Sequence, residues 1–352
     1  MKESTKLTYQ ACEGLRPERT PIYDLLTNDA VIEHFGGHPL DGIDDQKTAI
    51  LAASNALDCT RFVNPPNRVG DTFMDAIGNE WVLDRWTSWV RHRALNGIDD
   101  WKKQIKQSIE NMEAQAFPTP EESSTVALEQ RKLIDQLGET AFIHCTPSTA
   151  INSALFGGCG LEIFSYLWAD ERNLVLRWMR SLERSRSIYI DSSAHAENCR
   201  IAVIYSDVAY KQRLMFSKDM FVEMGFFDDV AGICDQCHKK GLTVIFHSDG
   251  YIMDIMPDLV AAGIDGLNPI EIAAGMDVYE LRKKYPKLIL AGGLDVTHLL
   301  PFGTPDDVRA ETRRMINETG SEGRLLIGSS TELENNVPLE NYLTFHDEAM
   351  KG

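Results

Sequence analysis

The chain has 352 residues, of which 43% are hydrophobic and 25% charged, enough to bury a full-sized core. Its 53 acidic against 35 basic residues give a formal charge of −18, which argues against a phosphate-backbone partner and predicts no nucleic-acid binding. No run approaches the length of an apolar membrane span and the N-terminus has no signal-peptide core, so a cytoplasmic protein, neither exported nor in the membrane, is expected.

In chain order, eight runs of β type end in polar or glycine clusters: 20–25, 58–63, 141–145, 200–205, 242–246, 263–267, 288–291 and 324–327. Helical periodicity marks 170–185, 219–239, 251–261, 278–284 and 305–318 between them. Strands alternating with helices predict a parallel sheet, and eight such units predict one (β/α)8 TIM barrel spanning 1–352. The long gap after the second strand, about 64–139, is expected to be an insertion over the barrel mouth. It holds an alternating hairpin-like stretch, MDAIGNEWVLDRW, followed by acidic helical sequence.

Seven cysteines without framework spacing fit a reducing compartment. Cys234, Cys237 and His238 spell a haem-attachment motif, but they lie in a helical run that puts Val230, Ile233 and Cys237 on one apolar face. Buried helical cysteines are therefore expected in place of covalent haem.

Catalytic groups of such barrels sit where strands end. The exits here are polar: Ser206, Asp207 and Tyr210 after the fourth strand, then His247, Ser248 and Asp249 after the fifth. Asn268 and Glu271 follow the sixth, Gly292, Gly293 and Asp295 the seventh, and Ser329, Ser330, Thr331 and Glu332 the eighth. Taken singly, Asp295 reads equally as a helix cap and the glycine pair as a tight turn. His247, Asp249 and Glu271 form the most chemical group. One imidazole and two carboxylates suit a divalent metal such as zinc, or serve without metal as acid and base; spacing leaves both open.

These motifs resemble the uroporphyrinogen decarboxylase superfamily. The resemblance rests on VIFHSDGYIMDIMPDLVAAGIDGLNPIE from Val244, LAGGLD from Leu290, GTPDDVR from Gly303, NVPLEN from Asn336 and DVAYKQRLMFSKDMF from Asp207. It is clear from about Thr140 onward and weak before that, and it implies a (β/α)8 barrel. The superfamily holds porphyrinogen decarboxylases and cobalamin-dependent methyltransferases. The decarboxylases' arginine-rich N-terminal motif is missing from RPERTPIYDLL, the aspartate after the second strand is replaced in FVNPP, and their eighth-loop histidine aligns with Thr331. Tyr166 does match a decarboxylase tyrosine. The methyltransferases' zinc-binding His-x-Cys pair reads here as His247 and Asp249, and their last cysteine aligns with Thr331 beside Glu332.

Both thiolates being absent, the resemblance implies help to an oxygen leaving group in place of thiol activation. The expected activity is corrinoid-dependent methyl transfer from a small methylated compound, foremost an aryl methyl ether, to cob(I)alamin on a partner corrinoid protein. Catalytic residues would be His247, Asp249, Glu271, Asp207 and Tyr166, with Tyr210, Trp168, Asn268 and Thr331 binding substrate. A zinc ion, if used, would take His247, Asp249 and Glu271. The alternatives are a decarboxylase or lyase acting on a non-porphyrin acid, and a non-catalytic corrinoid-binding barrel.

Overall fold

In the computed structural model, which describes residues 3–61 and 63–351, short parallel strands alternate with longer helices. Phe62, inside the expected second strand, lies outside the described residues. Six strands pair in parallel, in the order His144–Thr146, Ile201–Tyr205, Thr243–His247, Gly266–Asn268, Ile289–Ala291 and Leu325–Leu326. Cys59–Thr60 pairs in parallel with Ala141–Phe142. Parallel bridges join Tyr23 to Cys59 and Ile22 to Ile327. This is an α/β fold of parallel strands, consistent with a TIM barrel.

The first and last of these runs approach closely because of Gly328. A Cβ there would fall 1.7 Å from the Tyr23 carbonyl oxygen. Buried Asp24 holds the same seam, accepting from the Ser329 backbone N–H at 3.0 Å and the Ser329 hydroxyl at 2.7 Å. Beyond it, Leu26–Thr27 pairs with Leu333–Glu334, a short pair that the sequence pattern does not predict.

Alternation along the strands sorts the core into two layers. Tyr23, Cys59, Ala141, Ile143, Ile201, Val203, Ile245, Ile289, Ala291 and Leu326 form an inner cluster, joined by Ala11 and Cys12 of the helix Glu3–Glu13. The intervening Ala202, Ile204, Val244, Phe246, Leu267 and Leu290 face the helices in a larger cluster. Burial on both faces explains why these strands read as nearly continuous apolar runs.

The helices depart from the predicted bounds in three places. The expected helix 219–239 is divided into Lys218–Glu223 and Phe226–Lys239 by Gly225, whose φ of 74° interrupts the helix. Region 251–261 is helical only over Met256–Ala261, with proline in its first turn. In place of one helix from 170 to 185 stand Gly160–Asp170 and Arg172–Ser193. Cys234 and Cys237 are both buried in Phe226–Lys239, as the helical reading requires.

The gap region forms an antiparallel sheet of Thr72–Met74, Glu80–Leu83 and Ser88–His92, then the helices Ile98–Glu113 and Pro120–Asp135. Asp75 fastens the first turn, accepting from the backbone of Ile77 and Asn79 and from the Trp81 indole at 2.9 Å. Trp101, Ile105 and Ile109 put one face of Ile98–Glu113 into the core shared with Val175 and Trp178. No described helix is long and apolar enough to cross a membrane.

Candidate active site

The inner layer continues upward two residues at a time to the carboxyl ends of the strands. His247 follows Ile245, Asn268 follows Gly266, and Tyr205 follows Val203, so all three turn inward. Strand register sets them level, since His247 pairs with Tyr205 on one side and Asn268 on the other. His247 and Asn268 are thus the last residues of their strands, whereas the sequence pattern ends those strands at 246 and 267. Pairing in the sheet gives them fixed directions, which a loop would not.

Asn268 determines which imidazole nitrogen carries the proton. Its amide Nδ2 donates to the Ala291 carbonyl at 3.0 Å, which turns Oδ1 toward His247 Nδ1 at 2.8 Å. Tyr23 donates to the same oxygen at 3.4 Å. Nδ1–H therefore donates to Asn268, and Nε2 presents a lone pair. Burial, and then the adjacent Arg61 charge, push the His247 pKa down to about 3, so the ring is neutral near pH 7.

Nε2 faces acidic groups. Asp207 Oδ1 lies 3.7 Å from it and accepts the Asp249 backbone N–H at 3.0 Å. One ligand atom each from Asp207, His247 and Asp249 fall within 4.8 Å of one another, a spacing that fits one metal ion. Burial and then the charges of Asp207, Glu271 and Glu332 push the Asp249 pKa up to about 7. Its Oδ1 is buried without a hydrogen-bond partner. Asp207 is raised too, chiefly by burial, with the Asp249 N–H and Arg61 opposing and Glu271 adding to it. Glu332, at the eighth exit, is raised by burial and Glu334 against Arg61. A buried imidazole lone pair with two crowded carboxylates can take a divalent cation or move a proton.

Glu271 stands beside this group, accepting the Gly250 N–H at 2.7 Å. Gly250 has a φ of 87°, and a Cβ there would meet the Tyr210 carbonyl oxygen at 2.6 Å. The fourth and fifth exits are thereby locked together, with the Tyr251 N–H donating to Tyr210 O at 3.0 Å. The Tyr210 side chain is 46% exposed. Thr331 is half-buried between Ser330 and Glu332.

Tyr166 and Trp168, expected as catalytic and substrate residues, make no hydrogen bond, ion pair or ring contact with Asp207, His247 or Asp249. Tyr166 is half exposed on the helix Gly160–Asp170. Trp168 is buried in the helix-facing core with Arg172 over its ring at 4.5 Å.

Arg61 and Tyr205 belong to the site, although the exit pattern does not point to them. Arg61 Nη1 lies 3.2 Å from His247 Nδ1, and its guanidinium stands 4.7 Å over the Tyr205 ring, which in turn lies 4.6 Å from the imidazole. The signal is parity: in DCTRFV, residues 58–63, Arg61 is two residues past inward Cys59.

An α/β fold of parallel strands with its polar side chains gathered at their carboxyl ends has the layout of a TIM-barrel protein. Residues 176–351, half of the chain, match the family model for uroporphyrinogen decarboxylase (URO-D), and the chain belongs to that family. The matched half carries Asp207, His247, Asp249, Asn268 and Glu271, while Arg61 lies outside it. Among solved structures, a methyltransferase from Methanosarcina mazei is similar in fold, with a TM-score of 0.70 and 13% identity over 100% of this chain and 99% of that one. A uronate isomerase from Bacillus halodurans C-125 aligns at a TM-score of only 0.32, with 8% identity over 99% of this chain and 87% of that one. No curated protein sequence matches the chain significantly.

Proposed function

We propose that the chain is one closed (β/α)8 barrel, with 64–139 inserted over its mouth, and that it works as a corrinoid-dependent methyltransferase of the demethylating kind. It moves the methyl group of a small methylated substrate, foremost an aryl methyl ether, to cob(I)alamin on a partner corrinoid protein. The observation that carries this reading is the neutral His247, whose Nε2 faces Asp207 and Asp249 with no thiolate in the group. The likeness in fold to the M. mazei methyltransferase supports it.

The residues present fit a divalent metal such as zinc, because Asp249 Oδ1 is buried without a partner and the three donor groups lie together. Asp207, His247 and Asp249 would hold it, with Glu271 outside the ligand set, and when bound it would supply Lewis-acid polarisation of the substrate oxygen. Asn268 keeps the His247 proton on Nδ1 and leaves Nε2 free to face the ion or the substrate. Asp249, poised to about 7, is able to hold a proton for the leaving oxygen when its carboxyl is not engaged. As the C–O bond breaks, the methyl carbon passes to the acceptor and the oxygen keeps the bonding pair, leaving as a phenol once protonated. Glu271 and Gly250 hold the loop that carries Asp249.

An anaerobic assay tests the proposal, following conversion of cob(I)alamin to methylcobalamin with methoxyarenes, methylamines, methanol and methyl thioethers as donors. Methylation from methoxyarenes with phenol release is the expected result. Turnover of uroporphyrinogen, or rapid methylation of a thiol with no methoxyarene activity, would overturn it.

A further inference from the structure

Two arginines are buried, one between helices and one at the strand ends, and their surroundings differ. Arg186, 6% exposed, pairs with Asp229 and also donates to the Ser148 carbonyl at 3.2 Å. Arg61, 2% exposed, has no carboxylate at ion-pair distance among the described residues. Its Nε is buried and donates to nothing. Its Nη1 abuts His247 Nδ1, which already gives its proton to Asn268 and so offers no acceptor. What remains is the Tyr205 ring face.

A buried guanidinium without an anion is costly to fold, because its charge has left water unpaired and its Nε–H has no acceptor. The surroundings do not supply one. Asp207, Asp249 and Glu332 feel the Arg61 charge, yet all lie beyond pairing distance. Among the described residues Arg61 is the one cation acting on them and on His247. In an otherwise acidic mouth it is the place where a small anion is attracted.

We infer that Arg61 anchors a carboxylate of the methyl donor, so that the preferred donor is a methoxybenzoate-type arene and not a neutral methoxyarene. This rests on the methyltransferase reading for the word donor, but the anion site stands on Arg61 alone. Arg61 meets the Nδ1 edge of the imidazole and the acidic residues meet its Nε2 edge. An arene lying across His247 would thus offer its carboxylate to one side and its ether oxygen to the other. The guanidinium fork suits a planar carboxylate with two parallel hydrogen bonds.

Calorimetric binding, which needs no turnover, tests this with 3-methoxybenzoate and 3-methoxybenzyl alcohol on wild type, Arg61→Lys and Arg61→Met. Wild type should prefer the carboxylate by about 30-fold, the size of a charge-assisted pair. Arg61→Met should reduce the preference to about threefold or less, and Arg61→Lys should keep part of it. A wild type without preference, a preference surviving in Arg61→Met, or equal weakening of both ligands would overturn the inference. Should Arg61→Met fail to fold, the wild-type and Arg61→Lys comparison decides. Carboxylate preference without methyl transfer from any donor would remove the methyltransferase reading and leave the anion site. Methyl transfer as efficient from guaiacol as from 3-methoxybenzoate would remove the anion anchor and leave the methyltransferase.

Discussion

Replacing Asn268 with leucine tests whether the imidazole is set from behind. The change keeps nearly the same volume but removes the acceptor for His247 Nδ1–H at 2.8 Å and the donor to Ala291 O at 3.0 Å. The Tyr23 hydroxyl loses its long contact to Oδ1 as well, and with about 1–3 kcal/mol for each of the two shorter bonds the fold should lose about 2–6 kcal/mol. The functional effect follows from the tautomer. Without Oδ1, Nδ1 is free to accept from Arg61 Nη1, 3.2 Å away, and the ring proton moves to Nε2, the atom that faces Asp207. Loss of such an outer partner typically weakens metal binding about 10- to 100-fold. Asn268→Asp restores an acceptor and should bind zinc within a few-fold of wild type. Competition with a chromophoric chelator measures affinity, and nitrogen NMR of labelled histidine reads the tautomer. Wild-type zinc affinity in Asn268→Leu with the proton still on Nδ1, or an equal loss in Asn268→Asp and Asn268→Leu, would show that Asn268 does not set the imidazole.

Three further outcomes are expected. Asp207→Asn should lower zinc affinity about 100-fold while Glu271→Gln changes it little, because Glu271 serves Gly250; chelator competition reverses the assignment if the order is opposite. Gly328→Ala should cost about 3 kcal/mol or more in denaturant unfolding, since its Cβ meets the Tyr23 backbone, and a stability close to wild type would mean the seam opens easily. His144, held down to about 4 by burial, stays neutral while the unfolded chain protonates below pH 6.5. Its contribution to stability is therefore full above pH 6.5 and falls as pH drops toward 4, by up to about 3 kcal/mol. His144→Gln should remove that part of the slope, and unfolding curves parallel to wild type from pH 8 to 4.5 would contradict it.

The strands were legible because each is buried on both faces, so Ile201–Tyr205 and Thr243–His247 stand out as apolar runs without helical period. Helix interruptions were less so. Gly225 divides one periodic run by its backbone conformation, which apolar spacing does not report. At the site, His247, Asp249 and Asp207 are polar residues at strand ends, and that position alone marks them. Arg61 lies within the expected strand 58–63 and not at its exit, so only parity counted outward from Cys59 turns it toward the site. Tyr166 is marked by motif resemblance alone, and its helix leaves the residue half exposed. Convergence of Asp207 rather than Glu271 on His247 depends on the Asp249 N–H turning the Asp207 carboxylate inward, a backbone contact no spacing rule contains.

Asp207, His247 and Asp249 are proposed to drive methyl transfer from an oxygen. An anaerobic single turnover with a methoxyarene and cob(I)alamin, counting methylcobalamin formed and phenol released in wild type and in His247→Ala, tests that role. The expected result is one methylcobalamin for each phenol in wild type, with the rate at least about 100-fold lower in a folded His247→Ala protein. Methylcobalamin formed equally fast without His247, or no methyl transfer alongside uroporphyrinogen decarboxylation, would contradict it.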